Sequence, residues 1–410
     1  MSSDTATVPA GPRAGGHRAT HGRRMVAALA VTQTVGYGTL YYAYAVLLAP
    51  MATDLGTSTA TVTGALTASV LAGAGMSVPV GRWLDRHGGR ALMTVGSLVA
   101  TVLVLAWSQV QTVWQLYAVM IGVGATGAMV LYEPAFAVIV SWFDAPRRDN
   151  ALLAVTVVAG FASTIFLPLT GLLVARLDWR TALVVLAVTH GAVTVPLHAA
   201  AVRRPSRGLS HHGKRRSVSA RAATGDPGFW LLVAAFVAHA AATSMMVVHL
   251  VGYLTGRGHP AIFAATVTGL LGVLSVTGRV VLTVARRFAP LTTVVAVIFG
   301  IQAVAAAALP VVATSRAGAV VAVVAFGLGF GVSSLAVPAL LVDRYGTAAY
   351  GSIAGVLALP VTVSRATAPL AAAALLSVAG DHLLLPVAVA ACSVVAALGI
   401  LAGPSRAAGG

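Results

Sequence analysis

The chain is 410 residues long, 58% hydrophobic and only 9% charged, and its mean hydropathy of +0.91 lies far above that of a water-soluble domain. Its apolar residues come in runs of about 20 or more, enough for a helix to cross a bilayer and too long for barrel strands, which excludes an outer-membrane barrel. A net charge of +16 would suit nucleic-acid binding, but the basic residues sit between the apolar runs, at alternate ends, as in a polytopic membrane protein.

Residues 1–24 carry Pro, Gly and Arg, with no small-residue cleavage site after a short apolar core, and read as a disordered cytoplasmic tail rather than a signal peptide. Helical spans follow at about 25–51, 59–80, 91–109, 114–143, 150–175 and 180–202, then at 228–254, 261–285, 290–312, 317–342, 348–377 and 382–403. The expected fold is all-α, with twelve transmembrane helices in two six-helix halves, 25–202 and 228–403. A basic linker, 203–227, joins the halves, and a tail, 404–410, ends the chain. The linker's charge suits anchoring against anionic lipid better than nucleic acid. The segments on the side of the termini hold 20 of the 26 Lys and Arg, and the opposite side holds only Arg176, Arg180, Arg257 and Arg316. Both termini are therefore expected in the cytoplasm. Arginine outnumbers lysine 25 to 1, a bias of high-GC bacterial genomes that points to a bacterial cell membrane. The one cysteine, Cys392, excludes a disulfide within the chain.

The halves read as degenerate copies. Gly122-Val123-Gly124-Ala125-Thr126-Gly127 in span 4 precedes Pro134, as Gly327-Leu328-Gly329-Phe330-Gly331 in span 10 precedes Pro338. Pro168 in span 5 has its counterpart in Pro369 of span 11. Such repeats imply a substrate path at the interface of the halves, near the bilayer midplane, and the clustered glycines suit close helix contact.

Between spans 2 and 3 stands Gly81-Arg82-Trp83-Leu84-Asp85-Arg86-His87-Gly88-Gly89-Arg90. It resembles the G-x-x-x-D-R-x-G-R-R loop signature of the major facilitator superfamily, with Gly89 in place of the first closing arginine. The resemblance implies a latch that joins the halves on the cytoplasmic face, made by Asp85, Arg86 and Arg90, with Gly81 and Gly88 permitting the turn. The second copy departs from the pattern: Leu282, Arg286 and Ala289 stand where glycine, acid and glycine would be. A latch is therefore expected in the first half alone.

Trp142-Phe143-Asp144-Ala145-Pro146-Arg147-Arg148-Asp149-Asn150-Ala151, running on to Ala159-Gly160, resembles a signature of the monocarboxylate transporter family and its bacterial relatives. The motif that precedes span 1 in that family is missing here. The Gly-Pro-x-x-Gly-Gly pattern of drug:proton antiporters is also missing, since Leu167 precedes Pro168 and Leu172 follows Gly171.

An ionised side chain in hydrocarbon costs about 2.5–3.5 kcal/mol even on the lenient insertion scale, so charges inside spans mark function or structural pairing. Arg279 in span 8 resembles the arginine that binds the substrate carboxylate in monocarboxylate carriers, although Ser275 replaces the acid those carriers place one turn earlier. Its other reading is a structural pair. Glu133, the only glutamate, suits a proton carrier or the counter-ion of an intramembrane arginine. Arg365 in span 11 suits substrate or gating contact, or capping of carbonyls freed by Pro360 and Pro369. Tyr37, Tyr41 and Tyr44 lie at i, i+4 and i+7, one helical face that would either line the cavity or pack. His239 in span 7 would either titrate near neutral pH or serve structure. There is no phosphate-cradling loop, metal-ligand cluster or nucleophile elbow, so no cofactor, metal site or enzyme activity is expected.

The sequence thus leads to a secondary carrier that moves a small organic anion, a monocarboxylate by resemblance, with protons and by alternating access. Arg279, Arg365, Tyr37, Tyr41 and Tyr44 form its substrate site, Glu133 and His239 its proton sites, and lipid its surroundings, with no nucleic-acid or protein partner. An efflux pump for drug-like compounds and a non-transporting membrane sensor are the alternatives.

Overall fold

The computed structural model describes residues 13–203, 218–379 and 383–402, and among them every regular element is helical. Most of the linker's charges and the tail after Ala402 lie outside the described residues. Spans 2, 3, 6, 7, 8, 9, 11 and 12 are single helices, Thr59–His87, Gly89–Ser108, Trp179–Ala201, Pro227–Gly256, Ala261–Ala285, Leu291–Val312, Tyr350–Ala379 and Leu384–Ala402. Spans 1, 4, 5 and 10 are interrupted. Span 1 is Arg13–Tyr37, a π-helical turn Gly38–Tyr42, and Ala43–Asp54. Part of the expected N-terminal tail, from Arg13 on, is therefore helical. Span 4 is Val113–Val130 and Tyr132–Trp142, span 5 is Ala145–Ala159 and Ala162–Arg176, and span 10 is Arg316–Gly327 and Ser333–Tyr345. Among the described residues, ten spans are long and apolar enough to cross a membrane, and the other two, 1 and 10, belong to the interrupted set.

Each interruption has a local cause. In span 4 the ring of Pro134 would collide with the carbonyl four residues back, that of Val130, so the helix stops and Leu131 turns extended at φ −83°, ψ −152°. The freed Val130 carbonyl accepts from the buried Gln33 Nε2 at 2.8 Å. In span 10 the break follows the glycine cluster, and the Phe326 carbonyl accepts from the buried Gln302 Nε2 at 2.9 Å. In span 1, Thr39 Oγ1 bonds both the Val35 carbonyl and His190 Nδ1, each at 2.8 Å, and this side-chain insertion into the backbone ladder accompanies the π turn.

Pairings within the halves match: spans 2/4, 3/6, 1/5 and 1/6 repeat as 8/10, 9/12, 7/11 and 7/12. Glycines set the closest of them. A Cβ on Gly124 would strike the Ser69 carbonyl between spans 4 and 2, and one on Gly278 would strike the Leu328 carbonyl between spans 8 and 10.

The face where span 1 begins and span 12 ends is called here the terminal face. On that side one apolar cluster crosses the halves, joining Leu29, Ile139 and Val155 to Leu282, Leu335 and Tyr350. Toward the far face the core divides into two clusters, one around Tyr44, Trp107 and Leu183 and the other around Met246, Phe326 and Val389, each confined to one half. The halves are joined at the terminal face and parted toward the far one. There the first half is clasped by Arg180, which bonds Asp54 Oδ2 at 2.6 Å and the carbonyls of Ser108 and Val110. The neighbouring Asp178 carboxyl is held below its usual range by the Thr181 hydroxyl and by the amides of Thr181 and Arg180. Its contribution to stability is present above the ordinary Asp range and is lost as pH falls through the depressed value.

Gly124→Val is expected to lower stability by about 1–3 kcal/mol through forced separation of spans 2 and 4. Gly171→Val, where a Cβ meets nothing within 4 Å, serves as the control. Equal melting temperatures of the two variants in detergent would refute the close-packing account.

Candidate functional site

The floor of the inter-half space is a set of polar contacts at the terminal face. Asp85, near the end of span 2, accepts from the amides of Gly351 and Ser352 at 2.8 and 2.7 Å, and so caps the positive end of the span 11 helix from across the interface. Gly88 ends the span 2 helix at φ +75°, a conformation that favours glycine. Gly81 does not turn the chain: it lies inside the helix, where a Cβ would strike the Gly351 carbonyl, so its role is close approach. Arg86 and Arg90 are exposed on the terminal face.

The second copy also makes a contact across the halves, with its charges exchanged. Arg286, which stands where Asp85 stands in the first half, pairs with Asp149 Oδ2 at 2.9 Å. Asp149 lies near the start of span 5, as Gly351 and Ser352 lie at the start of span 11, and beside the pair Arg148 is 4% exposed. The acid missing from span 8 is supplied by the helix it meets. Asp149 stands inside the motif between spans 4 and 5, and the matching of span 5 with span 11 is the sequence signal that would have found it.

Above the floor, Arg279 ties the halves. It is 8% exposed, and its Nε donates to Ser334 Oγ at 3.1 Å while Nη1 donates to the Thr156 carbonyl of span 5 at 2.8 Å. Its electrostatic neighbours are Tyr132, Tyr37 and Tyr42. The Tyr37 ring lies 4.7 Å from Tyr132 and 6.5 Å from Tyr42. Tyr42 and Tyr132 were not among the expected site residues.

Tyr44 leaves the expected stripe. The π turn adds backbone between Tyr37 and Tyr44, so the i+5 residue Tyr42, rather than the i+7 residue, comes beside Tyr37. Tyr44 is fully buried in the first half, donates to the Val62 carbonyl at 2.5 Å and stacks on Trp107. Tyr41 is half-exposed, edge-on to Tyr42.

Glu133 opens the lower helix of span 4, and Arg365 lies in span 11, which packs against that helix. Both side chains are exposed although both lie well inside their spans. The apolar cluster that crosses the halves lies on the terminal side, and toward the far face each half keeps a cluster of its own. Tyr37 is an electrostatic neighbour of both Glu133 and Arg365, which links this upper pair to the tyrosines around Arg279. His239 is buried at 3%, stacked on Phe299 at a ring distance of 4.3 Å and next to Gln302 and Arg365. Its burial against Phe299 keeps it out of the open space.

Two six-span halves, closed on one face around a polar space with broken helices in its wall, define the class of secondary carriers. The Major Facilitator Superfamily profile matches residues 29–369, and the chain belongs to that family. The fold is similar to that of the E. coli fucose:proton symporter (TM-score 0.72, 13% identity, 92% of this chain and 98% of that one). It is also similar to the human organic anion transporter TETRAN (TM-score 0.68, 15% identity, 93% and 99%). A third similar structure is the proton:xylose symporter XylE (TM-score 0.71, 11% identity, 94% and 97%). No curated protein sequence matches the chain. The protein is thus a multi-pass membrane transporter and not an enzyme.

If Arg286 and Asp149 close the terminal face, Arg286→Asp should increase maleimide labelling of a cysteine placed at Thr156 in a Cys392→Ser background. Adding Asp149→Arg should restore protection. Unchanged labelling in the single variant would remove the pair from the seal.

Proposed function

We propose that this carrier moves a small organic anion together with protons across a bacterial cytoplasmic membrane. The observation that carries the reading is Arg279: a guanidinium at 8% exposure whose hydrogen-bond partners are a hydroxyl and a carbonyl and which pairs with no carboxylate among the described residues. A buried charge without a counter-ion costs several kcal/mol, and an anionic cargo removes that cost when it binds. Arg365 adds a second cation, so the space holds two guanidinium groups against the one carboxylate of Glu133. Tyr37, Tyr42 and Tyr132 supply hydroxyl donors at its wall.

The motif from Trp142 to Gly160 and the position of Arg279 support a monocarboxylate as the cargo. Ser275, in place of the acid of that branch, leaves Glu133 as the proton site, on the other half. Names among the similar folds agree with the class, since one is an organic anion transporter and two are proton symporters. The distribution of basic residues supports a cytoplasmic terminal face, with the side on which the halves part facing outward.

In proteoliposomes, an imposed inward proton gradient is expected to drive accumulation of labelled L-lactate, pyruvate or benzoate. Arg279→Ala should abolish binding, and Glu133→Gln should keep exchange but lose gradient-driven accumulation. Undiminished transport by the Arg279 variant would sink its assignment.

A further inference from the structure

The π turn of span 1 has no counterpart in the second half. Span 7, which stands where span 1 stands in the first, is one unbroken α-helix from Pro227 to Gly256. The helix of span 12, Leu384–Ala402, carries no histidine, whereas its counterpart, span 6, brings His190 to the turn. Among the described residues, the turn and the histidine thus occur together and in one half alone.

In the turn the Ala43 amide bonds the Gly38 carbonyl, five residues back, so the span holds one residue more than an α-helix of the same length would. Thr39 Oγ1 lies 2.8 Å from the Val35 carbonyl, and since a carbonyl has no proton, the threonine's own proton is in that contact. At His190 Nδ1, also 2.8 Å away, the hydroxyl must therefore accept, and Nδ1 carries the proton of the neutral ring. The other nitrogen, Nε2, is then an acceptor with no partner among the described residues, on a side chain that is fully buried. An unpaired acceptor in the interior weakens a fold, so an aliphatic side chain would be the better packing element at this place. What the imidazole adds is its one bond to Thr39. Phe166 of span 5 bears on the same turn, where a Cβ on Gly38 would lie 2.2 Å from its ring.

We propose that His190 is a positioning residue of the central space: through Thr39 it holds the π turn, and the turn sets which tyrosines of span 1 line that space. The extra residue lets Tyr42 stand with its ring 6.5 Å from Tyr37 and 5.4 Å from Tyr41. At the same time Tyr44 keeps its place in the first-half core, stacked on Trp107 and bonded to the Val62 carbonyl. Without the turn, Tyr37 and Tyr44, seven residues apart, would share one face. Either Tyr44 would leave its core, or Tyr37 would leave Tyr132, whose ring it meets at 4.7 Å. This role is independent of the charge of the cargo.

The test is a double-mutant cycle on the melting temperature of the full-length protein in detergent. Deleting Tyr41 removes the extra residue and should leave a continuous α-helix with Tyr37 and Tyr44 in place. That chain should fold, whereas deleting Leu98, in the unbroken helix of span 3, should not be tolerated. His190→Leu should lower the melting temperature of the full chain by several degrees and leave that of the Tyr41 deletion unchanged. His190→Asn, whose amide can donate as Nδ1 does, should recover most of the loss. In fluorine NMR spectra of fluorotyrosine-labelled protein, His190→Leu should move the signals of Tyr42 and Tyr44 and not that of Tyr253, in the other half. Should His190→Leu fail to fold, Thr39→Val removes the same bond and carries the same expectations. A His190→Leu variant as stable as the wild type, an equal loss in both backgrounds, or unmoved Tyr42 and Tyr44 signals would assign the histidine to packing alone and overturn the role. So would a Tyr41 deletion that fares no better than the Leu98 deletion.

Discussion

Inside a bilayer a helix can break only where something in the protein takes up the backbone groups that the break sets free. The rest of this structure follows from that constraint. Gln33 holds the Val130 carbonyl and Gln302 holds the Phe326 carbonyl, so spans 4 and 10 can each be two helices and not one. The break in span 4 brings a helix start, and with it Glu133, to the wall of the central space. The break in span 10 brings Ser334 to Arg279. Two buried amides thus accompany the two breaks after which the lower helices of spans 4 and 10 begin.

Polar groups are also sorted by depth. At the terminal face, carboxylates meet amides or a guanidinium across the halves, and each of these contacts must be undone for that face to open. Higher up, Arg279 spends its bonds on an uncharged carbonyl and hydroxyl, each worth about 1.5–3 kcal/mol because one partner is charged. The bond to the Thr156 carbonyl holds the halves together, that to Ser334 joins spans 8 and 10, and neither sets an opposing charge beside the guanidinium. The polar contacts across the halves are thus of two kinds, charged on both partners or charged on one, and Arg279 belongs to the second.

The fold was legible because hydrocarbon imposes a length and a composition on each span. The limits of the helices were less so: Arg13 to Arg24 look polar enough for a tail, yet the helix of span 1 begins at Arg13. The candidate site was legible in its charges, since an ionised residue within an apolar run is conspicuous. It was not legible in its tyrosines, because spacing along span 1 assumes an unbroken α-helix. One π turn exchanges Tyr44 for Tyr42. Nor does a motif searched one copy at a time reveal Arg286 and Asp149, since the acid had moved to the partner helix and only the pair keeps the sense of the original.

The exchange of charge has given the two sides of the terminal face different dependences on a single side chain. On one side a carboxylate is held by two amides of a helix start, so a neutral apolar residue in place of Asp85 would strand two backbone donors. On the other, Arg286 has Asp149 as its one ion-pair partner among the described residues, so a neutral residue in place of Asp149 would leave a guanidinium without its counter-ion.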